Sequence, residues 1–340
     1  MYKKKIKIAQ VGIGHDHALD TYNRLIRQSD IFDFEGFCVC DGEDGRPNLK
    51  KYDLSKQMTF EELLNIPGLE AVAIECDDWN LTKYSQLCAD AGLHIHMDKP
   101  GSEDCEEFER MLALVKKNNL VFQAGYMYRY NPVIMNTMKK IKDGVYGDIY
   151  AVEAQMSIEH TKEKREWLGN FKGGMMNFLG CHLVDVIFSI MGVPENIIPM
   201  NRVTDASDVR AKDYGFAVFE YKNGISFAKS CANEIGGYNR RQIVVCGTKG
   251  TCEIKPIEIY CEGKITTEYI ERQAGNSWHE NEMKQKESGF DRYELMMSDF
   301  AAYIRGKKEN PYTLEYEARL HRILIAACGY DVDFKAKICL

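Results

Sequence analysis

The chain has 340 residues, 45% of them apolar and 28% charged, a balance that excludes intrinsic disorder and fits a globular protein of about two domains. With 44 Lys+Arg against 51 Asp+Glu the formal net charge is −7, and no basic run exceeds Lys3-Lys4-Lys5, which argues against nucleic-acid and membrane-surface partners. No apolar run approaches the roughly 18 residues of a membrane span, and the alternation Lys5-Ile6-Lys7-Ile8 reads as a strand, not a signal peptide. A cytoplasmic protein is expected, its twelve cysteines reduced and serving mainly as buried filler.

The first third alternates strands and helices. Ile6–Val11 predicts a strand, followed by a glycine turn and a helix with an apolar face of Ala18, Tyr22, Leu25 and Ile26. A second strand is expected over Phe34–Cys40, ending at Asp41, before a polar loop; a short helix follows over Phe60–Asn65. Ala71–Cys76 and Leu93–Met97 read as buried strands flanking a helix over Leu81–Ala91 that stops at Gly92. Ser102 is the expected N-cap of the next helix, whose core face is Cys105, Phe108, Leu112 and Val115; Leu120–Gly125 closes the series. Such alternation predicts a doubly wound parallel sheet covered on both faces.

Beyond it the texture changes. Asn131-Pro132 opens a helix to Lys142, and strands are expected over Asp148–Ile158, Gly215–Tyr221, Ile225–Cys231, Gln242–Cys246 and Thr251–Ile254, with Asn223-Gly224 as a hairpin turn. Helices are expected over Met176–Met191, Asp291–Ile304 and Thr313–Tyr330. The fold class is therefore α/β, an N-terminal Rossmann unit over residues 1–124 followed by an α+β unit over 125–340 with a mostly antiparallel, open sheet.

Gly12-Ile13-Gly14 follows the first strand and opens the first helix. The first glycine permits a tight turn, and the second lets backbone approach a pyrophosphate at the helix N-terminus. The third position of the usual G-x-G-x-x-G is His17, which either holds the helix off the strand or points outward. His15 and Asp16 are placed beside the cofactor phosphates. Asp41, at the end of the second strand, suits the adenosine ribose hydroxyls and favours NAD over NADP. His15, Asp16 and His17 are too close together in one turn, and without a remote partner, to be expected to bind a metal; His94 and His96 read as core histidines.

Asp98-Lys99-Pro100 ends a buried strand. Extended geometry before proline aims Lys99 off the carboxyl edge, where ligands bind in open parallel sheets. Here the chain resembles the Gfo/Idh/MocA oxidoreductases, whose hallmark at this place is Glu-Lys-Pro. The resemblance continues through GYMYRYNP (125–132), Trp167 with Gly173-Gly174, GCHLVD (180–185), similar to the family's G-x-H-x-x-D, and the closing stretch Phe290–Tyr330. It implies hydride transfer between nicotinamide and a sugar, cyclitol or polyol hydroxyl. His182 is then the base, and Lys99 the cation that stabilises the reacting oxygen. Asp98 and Lys99 would border the cofactor, and Asp185 would orient the helix or the imidazole.

Two departures stand out. Many members carry Asp four residues before the histidine, where this chain has Phe178, with Asn177 adjacent. Relatives usually have Thr-Pro-Asn…His where this chain reads Cys76-Asp77-Asp78-Trp79-Asn80-Leu81, so that Asp78 stands at the asparagine position. Candidate substrate residues are Tyr126, Arg129, His160, Trp167, Asn177 and Phe178, with the tyrosines read either as stacking walls or as core and Arg129 either as ligand or as scaffold. Two other functions stay open: an NAD-dependent glycosidase or lyase working through transient sugar oxidation, and a catalytically altered cofactor- or sugar-binding sensor. The resemblance also implies a homodimer or homotetramer formed through the open sheet face.

Overall fold

The computed structural model describes residues 4–273 and 282–340. By compactness the chain forms two units. The first comprises residues 1–126, 293–318 and 337–340; the second comprises 127–292 and 319–336.

In the first unit, β1 (Ile6–Val11), α1 (Ala18–Arg27), β2 (Phe32–Cys38), β3 (Gln57–Met58), α2 (Phe60–Leu64), β4 (Ala71–Ile74), α3 (Leu81–Asp90), β5 (His94–Met97), α4 (Cys105–Lys117) and β6 (Phe122–Ala124) follow in order. The six strands are parallel, in the order β3-β2-β1-β4-β5-β6. β1 and β4 are neighbours although the chain leaves β1 toward β2, so a topological switch point opens at their carboxyl ends. The strands are apolar throughout, Ile8, Ala9, Val11, Val72, Ile74 and Ile95 having no exposed surface, because helices cover both faces of such a sheet.

The second unit contains α5 (Pro132–Lys142), β7 (Ile149–Gln155), α6 (Lys162–Trp167), a π-helical turn (Met176–Gly180), α7 (Cys181–Met191), β8 (Asn196–Pro199), β9 (Tyr214–Tyr221), β10 (Gly224–Cys231), β11 (Gln242–Gly247), β12 (Gly250–Ile254), β13 (Ile259–Cys261), β14 (Lys264–Gln273) and β15 (Glu282–Phe290). Its sheet runs β13-β14-β12-β11-β7-β10-β9-β8, with β15 pairing β14; β7 and β10 are parallel and the other pairs antiparallel. Asn131 caps α5 through its carboxamide oxygen, which accepts from Val133 and Ile134 N–H, with Pro132 in the first turn. α7 packs on β7 and β10, and period-two alternation in β9 buries Gly215, Ala217 and Phe219.

Several expectations shift. β2 begins and ends two residues earlier than its apolar run suggests. Ile26 is 43% exposed, and Thr21 takes its place on the buried face of α1. The cap of α4 is Asp104, whose carboxylate accepts from Glu106 and Glu107 N–H; Ser102 instead accepts from Asp104 N–H. The helix expected over Met176–Met191 starts with a π turn. β14 and β15 have little apolar alternation, since most of their side chains are polar. α8 (Glu294–Ile304) and the first part of α9 (Leu314–Ala327) belong to the first unit, not the second. Their side chains complete the first unit's interior: Phe300 is fully buried near the His96 ring, and Gln28 donates to Glu294 O and Ser298 Oγ.

Candidate active-site elements

At the switch point Gly12 has φ +89°, and a Cβ there would collide with Cys76. The turn therefore requires glycine and packs directly on the end of β4. Around Gly14 the loop after β2 folds inward. The Glu43 carboxylate accepts from Ile13 N–H at 2.8 Å, Asp77 N–H at 2.9 Å and Cys40 N–H at 3.1 Å. Arg46 donates to Gly14 O and bridges Asp77, and Asn48 donates to Ile13 O. A Cβ on Gly14 would meet Glu43 and Asp77. The strand order and the Gly12 turn fit a dinucleotide, whose diphosphate would contend with Glu43 for the Ile13 N–H.

Asp41 lies in this loop. It is paired with Lys83 at 2.8 Å, and its carboxyl is held below the usual range chiefly by that hydrogen bond. Asp16 is exposed before α1. Asp78 is buried, and its Oδ1, which has no hydrogen-bond partner, lies 3.7 Å from His15 Nε2.

Lys99 is only 1% exposed, a buried ammonium on the carboxyl side of β5. Asp98 Oδ1 accepts the Lys99 N–H at 2.7 Å, and its Oδ2 lies 2.9 Å from both His15 Nδ1 and His17 Nδ1. His17 thus points at Asp98, and the His15–His17 pair has a remote partner that the sequence did not reveal. Burial works against the Asp98 charge, but the two imidazoles hold its carboxyl well below the ordinary range. Burial likewise opposes protonation of His15, yet Asp98 and Asp78 raise its pKa; for His17 burial prevails and lowers it. Glu75 has no exposed surface, and burial together with Asp98 pushes its carboxyl well above the usual value. His96 is buried, with its Nδ1 2.9 Å from Gln123 Oε1. Tyr126 is buried at the end of the same unit.

In the second unit the π turn precedes His182, which is buried in the first turn of α7 with its ring 5.3 Å from that of Tyr128. Such turns reset side-chain register within a helix. Asp185 lies three residues beyond His182 on α7. It binds Arg129 in bidentate fashion at 2.8–3.1 Å, both side chains almost fully buried. The pair ties the short helical turn Met127–Tyr130 to α7. His160, Trp167 and Phe178 come together, with ring centroids 5.9 Å (His160–Phe178) and 5.2 Å (Trp167–Phe178) apart. Lys164, which sequence reasoning missed, sits 3.6 Å from the Trp167 centroid and 4.5 Å from that of Phe178. Its spacing of three residues before Trp167 on α6 was the available signal. Asn177 is buried beside Cys328 and Gly173.

Residues 6–126 match the oxidoreductase family with an NAD-binding Rossmann fold, and residues 135–253 match the GFO/IDH/MocA C-terminal domain. The chain is 24% identical over 225 residues to trans-1,2-dihydrobenzene-1,2-diol dehydrogenase of Bos taurus, covering 63% of this chain and 65% of that protein. It is 21% identical over 165 residues to scyllo-inositol 2-dehydrogenase (NADP(+)) IolW of Bacillus subtilis, covering 48% and 46%. It thus spans less than two thirds of the length of each. Myo-inositol 2-dehydrogenase of Thermotoga maritima is 22% identical over 259 residues, covering 72% and 74%. Among solved structures, aldose-aldose oxidoreductase from Caulobacter crescentus complexed with glycerol superposes with a TM-score of 0.79 at 15% identity, covering 96% and 98% of the two chains. Levoglucosan dehydrogenase in complex with NADH and levoglucosan gives 0.77 at 13%, covering 96% and 97%. Among the described residues no helix is long and apolar enough to cross a membrane. With both of its domains matched in chain order, the chain belongs to the Gfo/Idh/MocA oxidoreductase family.

Proposed function

We propose that the protein is an NAD-dependent dehydrogenase acting on a hydroxyl group of a sugar, cyclitol or other polyol. The observation that carries this reading is the buried ammonium of Lys99 on the carboxyl side of β5, within a unit matched to the family's NAD-binding domain. A bound nicotinamide supplies the hydride acceptor or donor. His182 takes the hydroxyl proton in oxidation and returns it in reduction, a task suited to an imidazole near neutral pH. Lys99 hydrogen-bonds the reacting oxygen and stabilises alkoxide character. Trp167, Phe178 and His160 form an apolar wall suited to a sugar face, and Lys164 offers a donor to hydroxyls beside it. Asp41 favours the free ribose hydroxyls of NAD, although Lys83 beside it tempers repulsion of a 2′-phosphate. The names of the inositol, diol and aldose relatives support the substrate class.

Lys99→Met and His182→Ala are each expected to abolish NADH formation across a polyol panel, with circular dichroism unchanged; wild-type rates in both would refute the assignment. Titration should show tighter binding of NAD than of NADP, and equal affinities would remove Asp41 from that role. One observation favours the second reading, a sensor without turnover: Phe178 stands four residues before His182, where many members of the family carry an aspartate. Saturable NAD binding with no turnover on any polyol would select it, and steady NADH production would exclude it.

A further inference from the structure

The proposed chemistry uses Lys99 but not the ionisable side chains packed around it in the first unit. His15 Nδ1 and His17 Nδ1 converge on one oxygen, Asp98 Oδ2, each at 2.9 Å. One ligand atom from each of these three residues lies within 4.8 Å of the other two. One further carboxylate lies on the same side of the His15 ring and another on its far side. Glu75 Oε2 lies 4.0 Å from His15 Nδ1 and Glu75 Oε1 3.9 Å from His96 Nε2, while Asp78 Oδ1 is 3.7 Å from His15 Nε2. Glu75 has no exposed surface, and neither of its oxygens has a hydrogen-bond partner; Asp78 Oδ1 is also buried without one.

Carboxylates buried this close together need protons or a cation between them. The orientation of His15 is that of a ligand. Its Nε2 is 3.2 Å from Lys99 O, the distance of an N–H donating to a carbonyl. Its Nδ1 faces Asp98 Oδ2 at 2.9 Å, the place where a bound metal ion would replace a shared proton. A metal-binding imidazole usually donates its outer N–H to such a carbonyl.

We propose that His15 Nδ1, His17 Nδ1 and the Asp98 carboxylate form a binding site for one divalent transition-metal ion of the Zn2+ or Co2+ class, with Glu75 as the adjacent charge-balancing carboxylate. Two imidazoles and a carboxylate select such ions over Mg2+ or Ca2+, which prefer all-oxygen sets. The ion ties the turn after β1 to the carboxyl end of β5, the two segments that carry Gly12 and Lys99. This inference does not depend on the dehydrogenase reading, because it is tested by binding alone.

The test is titration of the chelator-treated 340-residue protein with Co2+, followed by visible d–d absorption and equilibrium dialysis. One Co2+ per chain is expected, displaced by Zn2+ and not by Mg2+. His17→Gln should weaken it about a hundredfold, with the circular dichroism of the wild type. The absence of saturable binding, or binding that His17→Gln leaves unchanged, would overturn the proposal and assign the cluster to protons. If His17→Gln does not fold, long-range proton–nitrogen spectra of the wild type decide. Zn2+ must shift Nδ1 of both His15 and His17, and unshifted resonances refute the site.

Discussion

Arg129 and Asp185 form a pair of buried opposite charges whose value lies in their being together. Removing the guanidinium strands a carboxylate that is almost fully buried on α7. Arg129→Ala should therefore lower stability by about 3–5 kcal/mol in urea denaturation. Arg129→Lys should recover only part of this, since an ammonium cannot reproduce the two-pronged geometry. Glu43 poses the opposite case. Its carboxylate satisfies three backbone N–H groups at the glycine turn. If the diphosphate needs the same donor, Glu43→Ala should tighten NAD binding by on the order of tenfold, or about 1.4 kcal/mol, while lowering the melting temperature. Looser binding in calorimetry would show that Glu43 supports the bound form. These roles were unevenly legible in the sequence. Lys99 and His182 stand in motifs whose spacing marks them. The partnership of Arg129 with Asp185 joins residues 56 positions apart, and nothing local to either one discloses it. His15 and His17 lacked a partner on paper because Asp98 arrives from another strand of the sheet.

Caps and ladders set the outcome for individual elements. Asp104→Ala removes the acceptor for two N–H groups at the start of α4 and should cost about 1 kcal/mol. Ser102→Ala should cost less, and the reverse order in denaturation midpoints would contradict the observed cap. On β14, burial disfavours the Glu271 charge. Lys140 Nζ at 2.7 Å and the Tyr146 hydroxyl nonetheless hold its carboxyl below the ordinary value. A lowered folded-state pKa contributes stability that is complete above the unfolded value, about 4.3 for Glu. That contribution is lost as the pH falls through the folded value. Glu271→Gln should flatten this part of the acid limb of stability against pH, and an unaltered limb would remove the pair from the account. The elements of the first unit were readable because buried parallel strands are apolar runs separated by capped helices. β14 and β15 were not, because their residues are largely polar on both faces. The π turn escaped because its residues have the same apolar character as the helix they precede.

At the scale of the molecule, the first unit is assembled from separated parts of the chain. Phe300 on α8 has no exposed surface, and Phe300→Ala should destabilise that unit by about 3–5 kcal/mol through the cavity left behind. Hydrogen exchange in β5 and β6 should report the loss first, since His96 and Gln123 on those strands face α8. Arg305 reinforces the same closure by donating to the carbonyls of Lys4 and Ile31. The order of synthesis then matters. Residues 127–292 must leave the ribosome before the segment that completes the first unit can follow. At about 5–20 residues per second, this is a delay on the order of ten seconds. During that interval the nascent sheet presents the apolar seat of Phe300 to its surroundings, an opening for chaperone capture early in the life of every molecule.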